Sequence, residues 1–225
     1  MLVLTENWRH QYEGASMGVM IVENAQCKGM SESLEAQRRQ VEADLRAAFG
    51  SKEELDTSAV LAAYGQYYKR FKKTYHVRQQ LESVIFKGKS IPSVTPLVEA
   101  MFMAELKNGL LTAGHDLEQV QGTLTLDAAS GEESYVLING KEQTLKGQDM
   151  FLRDEAGVLS SVIYGPDQRT RIVSETKNAV FTVYAPDGVS RKIVEQHLED
   201  IYSYVRLAAP QALRREQIVY EAKNI

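Results

Sequence analysis

Hydrophobic and polar positions alternate along this chain with two periods, and the change between them falls near residue 120. Before it the spacing is helical. Met17 to Val22 (MGVMIV) is one short strand candidate in this half, followed by a polar connection through Cys27 and Gly29. Leu34, Val41, Leu45 and Ala48 then recur at helical spacing behind a serine start at Ser31 or Ser33, and Gly50 stops them. Ser51 to Glu54 (SKEE) has the form of a capping box. A helix over about 57–72 places Val60, Leu61, Tyr64, Tyr68 and Phe71 on one side, and another over 77–87 ends at Gly88. Thr95 caps a further helix with Pro96 in its first turn, where a missing N–H costs nothing. Leu97, Ala100, Met101 and Ala104 form its apolar stripe, Gly109 closes it, and TAGHD (Thr112 to Asp116) reads as a compact loop.

From Val120 the period moves towards two. VQGTLTL, SYVLI, DMFLR, VLSSVIY and NAVFTVYA are strand candidates, separated by the turn-rich ASGEE, NGK, DEAG and GPDQ. Asn139-Gly140 is a tight-hairpin signal. A last long helix starts at Ser190, turns Ile193, Val194, Leu198, Ile201 and Val205 inward, and breaks at Pro210. The residues from Ala212 onward read as a polar terminal helix or tail. The expected class is α+β: N-terminal helices, then a mainly antiparallel sheet with a closing helix. Residues 1–60 are expected as an N-terminal strand and helix packed on a main domain over 61–208, with 209–225 as the tail.

Composition narrows the function classes. At 225 residues with 44% hydrophobic and 25% charged, the chain has an ordinary globular make-up. No apolar run approaches the roughly 20 residues of a membrane span, and no secretion signal is read at the start. A single cysteine, Cys27, forms no internal disulfide and suits a reducing compartment, so a cytoplasmic location is expected. A net charge of −4 argues against strong non-specific RNA binding, though not against brief contact with one tRNA end.

The chemical motifs are few. Gly88-Lys89-Ser90 is not a phosphate loop, because Ser83 stands where that motif needs its first glycine. His10, His76, His115 and His197 are scattered without ligand spacing, so no metal and no cofactor are expected. His115-Asp116 fits a pair orienting water or a ribose hydroxyl; the plain alternative is a surface histidine beside an Asp that caps Leu117. Arg169-Thr170-Arg171 fits a phosphate or terminal-nucleotide contact, or else a charged strand edge. Lys69, Arg70, Lys72 and Lys73 interleave with aromatics as a tRNA footprint would, or form a solvated helix face.

These residues also carry a likeness. PSVTPLVEA, then TAGHDLEQVQG, then the Arg-Thr to Thr-Lys-Asn stretch in DQRTRIVSETKN, resembles the B3/B4 domain, the editing module of the phenylalanyl-tRNA synthetase β subunit. The likeness runs from about Tyr64 to Leu207. Within it Thr95 replaces the family's Asn, Glu99 its Asp and Phe102 a further Asn, while the loop histidine of synthetase-embedded members falls near Ala113. The loop is more similar to the free-standing members. The resemblance implies a stand-alone domain that hydrolyses mischarged tRNA in trans, meeting the tRNA transiently. It implies His115, Asp116 and Thr170 as catalytic residues and Thr95, Phe102, Gly114, Gly122, Arg169 and Asn178 around the substrate. Backbone N–H groups near Gly114 or Gly122 are expected to face the oxyanion. The rival expectation is a non-catalytic module of the same fold binding an amino acid, tRNA or a synthetase.

Overall fold

The proline-opened helix forms as its sequence predicts. In the computed structural model, which describes residues 2–27, 29 and 31–223, the Thr95 hydroxyl accepts from Val98 N–H, Pro96 opens the helix, and Gly109 ends it at φ +69°. The first half of the chain gives β1 (Leu2–Leu4), α1 (Glu6–Gln11), β2 (Ser16–Glu23), α2 (Glu32–Ala48), α3 (Lys52–Asp56), α4 (Ala59–Arg70), α5 (His76–Lys87) and α6 (Pro96–Asn108). Then come β3 (Thr112–Asp116), a 3-10 turn (Leu117–Gln119), β4 (Leu124–Ala128), β5 (Ser134–Val136), β6 (Glu142–Thr144), β7 (Met150–Asp154), β8 (Gly157–Ser161) and β9 (Gly165–Pro166). The chain ends with β10 (Ala179–Ala185), α7 (Arg191–Ala208) and β11 (Leu213–Glu221). Helices and mainly antiparallel sheets make this an α+β fold, with the β1–β4 pair as a parallel exception.

Two sheets carry the architecture: a four-stranded one ordered β11-β2-β10-β3 and a five-stranded one ordered β1-β4-β7-β8-β9. Strand β10 is buried at all seven positions because both of its faces are covered. On one face lie α6 and α7. There Gly18 lets α7 approach so closely that an added Cβ would stand 2.6 Å from Val194 Cγ1. The other face meets the five-stranded sheet, where the Tyr184 hydroxyl reaches Ser160 Oγ at 2.7 Å. Tyr64 of α4 fills the joint, accepting from Leu111 N–H and stacking on Tyr75 with ring centroids 4.4 Å apart. Asn139-Gly140 turns the β5–β6 hairpin, Gly140 lying at φ +81°.

Two expectations are corrected. TAGHD is not a loop but strand β3, paired with β10 through Thr112↔Val183 to Asp116↔Ala179. Residues 213–221 are not a helix or tail but an edge strand on β2, with a bulge between Arg214 and Glu216. Arg214 and Arg215 are exposed, and the consecutive polar residues before Ile218, Val219 and Tyr220 leave no period-two alternation to read. Since β2 lies between β10 and β11, the divisions expected at 60 and 208 run through one continuous sheet.

Candidate functional site

The Ser-Val-Thr-Pro stretch that opens α6 lines a cavity of about 250 Å³. Ser93, Val94, Thr95, Pro96 and Glu99 form one wall; Leu34, Glu35 and Arg38 of α2 form the opposite one. Cys27 and Ser174 close the sides. Arg38 is the keystone, donating to Glu99 Oε1 at 3.1 Å, Glu42 Oε1 at 3.3 Å and the Ile91 carbonyl at 3.4 Å. Glu42 also receives Ile91 N–H, and Glu99 receives the Ser93 hydroxyl. Glu35 sits at the rim, paired with Arg39. Burial pushes the Cys27 thiol above its ordinary value, so it is held as a thiol. The start of a thirteen-residue helix adds partial positive charge to this wall.

Of the residues expected around a substrate, Thr95 alone borders this cavity. Helix α6 and the 169–178 segment do face each other, but the middle of the gap is filled. Ile172 and Met101 close over Gly114, where an added Cβ would lie 2.8 Å from Ile172 Cδ1 and 3.3 Å from Met101 Sδ. The opening survives at the Thr95–Ser174 end. Phe102 is half-buried against the main core. Gly122 turns the chain at φ +69° beside Glu155.

His115 and Thr170 meet inside the protein, both fully enclosed at 0% exposure, so His115 is not the surface residue that the plainer alternative supposed. Thr170 gives its hydroxyl proton to Asp167, and its oxygen accepts from His115 Nδ1 at 2.7 Å. On the other side His115 Nε2 lies 3.2 Å from Ser160 Oγ. Burial, assisted by the nearby Arg169 charge, pushes the imidazole down to about 3, so it is neutral at physiological pH. Asp116 caps the 3-10 turn by accepting from Glu118 N–H at 3.0 Å, and it receives the Thr176 hydroxyl at 2.7 Å. Asn178 reaches Glu118 and accepts from Asn24 N–H. These contacts tie the 167–178 segment to β3.

Arg169 opens on a separate groove of about 460 Å³ that also takes in Tyr135, Val158, Asp167, Gln168 and Arg171. Its guanidinium grips Asp154 by both nitrogens, at 3.1 and 2.9 Å, and donates to the Gln119 carbonyl. Burial opposes ionisation of Asp154, but the bonds from Gln121 N–H and Arg169 outweigh it and hold the carboxyl below its ordinary value. Lys69, Arg70, Lys72 and Lys73 lie exposed elsewhere, with Arg70 5.3 Å from the Tyr12 ring centre and Lys73 4.5 Å from that of Tyr164. Sequence reasoning did not single out Arg38, Glu35, Ser174 or Asp167, and it took Ser93 only as part of the family-like stretch. The Glu35-Arg38-Glu42 spacing was the one available signal, since i, i+3 and i, i+4 charges meet on a helix.

No helix among the described residues is long and apolar enough to cross a membrane, and no group of three or more His, Cys, Asp or Glu side chains there is arranged to hold a metal. The phenylalanine–tRNA ligase β subunit of Tropheryma whipplei (strain Twist) is 30% identical over 87 residues, 39% of this chain and 9% of that protein. An N-terminal fragment of the phenylalanyl-tRNA synthetase β subunit from Pyrococcus horikoshii shares the fold, with a TM-score of 0.51 at 13% identity. That alignment covers 97% of this chain and 50% of the fragment, so the chain spans a small part of the first relative and half of the second. The profile of the B3/4 domain matches residues 60–211, from the start of α4 to the approach to β11, and the chain belongs to the B3/4 domain family.

Proposed function

We propose that this protein takes the aminoacylated 3′ end of a tRNA into the cavity at the start of α6 and hydrolyses the amino-acid ester, clearing mischarged tRNA in trans. The observation that carries the reading is that cavity: the family-like Ser93–Glu99 stretch builds it, on a fold shared with synthetase β subunits. The apolar residues Leu34, Val94 and Pro96 on its facing walls suit a side chain, and Glu35 at the rim suits the α-ammonium group. An activated ester is labile, so holding it beside a positioned water supplies much of the rate without a strong nucleophile. The α6 N-terminus favours the negative charge that develops on the carbonyl oxygen. In this reading His115, Thr170 and Asp116 do not touch the ester; they brace the 167–178 segment that carries Ser174 to the cavity.

A second reading has an observation of its own. Arg38 is already paired with Glu42 and Glu99, and Glu35 with Arg39, which suits a binding module better than an acid–base site. One pair of assays separates the two. A panel of mischarged tRNAs is followed for deacylation, and thermal stability is followed against the free amino acids. Turnover above buffer on at least one tRNA supports the hydrolase. Stabilisation by an amino acid without turnover supports the module, and no turnover on any tRNA rejects the hydrolase.

A further inference from the structure

The two openings lie at the two ends of one surface segment. Arg171 borders the larger groove and Ser174 borders the α6 cavity, three residues further on, a reach of at most about 10 Å of chain. On either side of Arg171 the buried residues Thr170 and Ile172 point inward, whereas Gln168, Arg171 and Ser174 are exposed and mark a path over the surface. The backbone of Arg171 is pinned to the sheet edge by its bridge to His115. Its guanidinium makes one bond, to the Gln168 carbonyl at 2.7 Å, and no ion pair among the described residues. The neighbouring Arg169 is different, because Asp154 already holds it. The acids along the path are also placed unequally. Asp167 is buried and bonded to Thr170 and Arg169, while exposed Glu175 accepts from Ser174 at the cavity end.

We propose that this path seats the unpaired 3′ strand of the tRNA, with a backbone phosphate on Arg171 and the terminal nucleoside towards Ser174. The inference rests on the reading of the previous subsection and gives it a direction. About 10 Å corresponds to roughly three stacked nucleotides at 3.4 Å per step. A phosphate is favoured at the Arg171 end and disfavoured beside Glu175, so the uncharged sugar and the ester fall at the cavity.

The test measures binding without chemistry. Fluorescence anisotropy is recorded for an uncharged tRNA and for the same tRNA trimmed of its three 3′ nucleotides. The protein is used as wild type, Arg171→Glu, Arg171→Gln and Arg171→Lys. Wild type is expected to prefer the intact tRNA by roughly tenfold, the size of one charged hydrogen bond. Arg171→Glu and Arg171→Gln are expected to lose that preference, and Arg171→Lys to keep part of it. For intact tRNA the slope of log affinity against log salt should fall by about 0.7 in Arg171→Gln. Equal preference in wild type and Arg171→Gln, or no preference in wild type, overturns the path. Preference without deacylation upholds the path and rejects the hydrolase; deacylation without any Arg171 dependence does the reverse.

Discussion

Removing Arg38 should destabilise the protein more than removing any of its exposed basic neighbours. The side chain is 15% exposed and its two carboxylate partners, Glu42 and Glu99, are 7% exposed. Breaking a buried ion pair by deleting one member typically costs about 3–5 kcal/mol, because a buried charge is left behind. Here each carboxylate keeps a partner: Ile91 N–H and Arg46 for Glu42, the Ser93 hydroxyl for Glu99. The expected loss for Arg38→Ala therefore lies at the lower end, about 3 kcal/mol. For a chain of this size that corresponds to a fall in Tm of about 6–12 °C. Urea unfolding of Arg38→Ala beside Arg39→Ala measures it, since Arg39 is 70% exposed and its pair with Glu35 is screened by water. Adding Glu99→Gln to Arg38→Ala should recover part of the loss, because it removes the stranded charge. A loss for Arg38→Ala no larger than for Arg39→Ala would refute the reasoning and mark the cavity wall as fully solvated.

Three further outcomes are expected. Glu105 is enclosed with Thr112 N–H as its hydrogen-bond donor, and burial raises its carboxyl from 4.5 to about 8. The folded protein thus holds an extra proton, so this stability is complete below about pH 4.5 and is lost as pH rises through about 8, by at most about 1.4 kcal/mol per pH unit. Urea melts at pH 5, 7 and 9 should show Glu105→Gln gaining on wild type as pH rises; a constant gap would show that the carboxyl is hydrated. Thr95→Ala removes the α6 cap and should cost about 1 kcal/mol, with Thr95→Ser nearly neutral in the same melts. Gly18→Ala pushes a methyl into Val194 and Leu198 and should cost about 1–3 kcal/mol, read as a lowered urea midpoint.

Local chemistry made some elements legible and hid others. Helix α6 could be read because its cap, its N1 proline and its closing glycine are adjacent in sequence to the stripe that they bound. Strand β10 was equally plain as an apolar run broken only by Thr182. Strand β3 was not, since Gly114, His115 and Asp116 are turn-like residues; tertiary pairing with β10 and a buried partner for each polar group hold them extended. Strand β11 was hidden by Arg214, Arg215 and Glu216, which an edge strand turns to solvent. Thr95 was expected near the substrate through the family likeness of its stretch, but Arg38 and Ser174 come from segments 57 and 79 residues away (95 − 38 and 174 − 95). No periodicity links such positions. His115 stood out for its chemistry, yet its enclosure depends on Ser160 and Asp167, which the sequence places far away.

The most direct test of the account is the rate of ester hydrolysis on mischarged tRNA by wild type and by Ser174→Trp. Ser174 is exposed and bonds to adjacent Glu175, so an indole there should occupy the α6 cavity while leaving the fold intact. The account predicts deacylation by wild type and its loss in Ser174→Trp at unchanged Tm. Hydrolysis that survives the blocked cavity would contradict it.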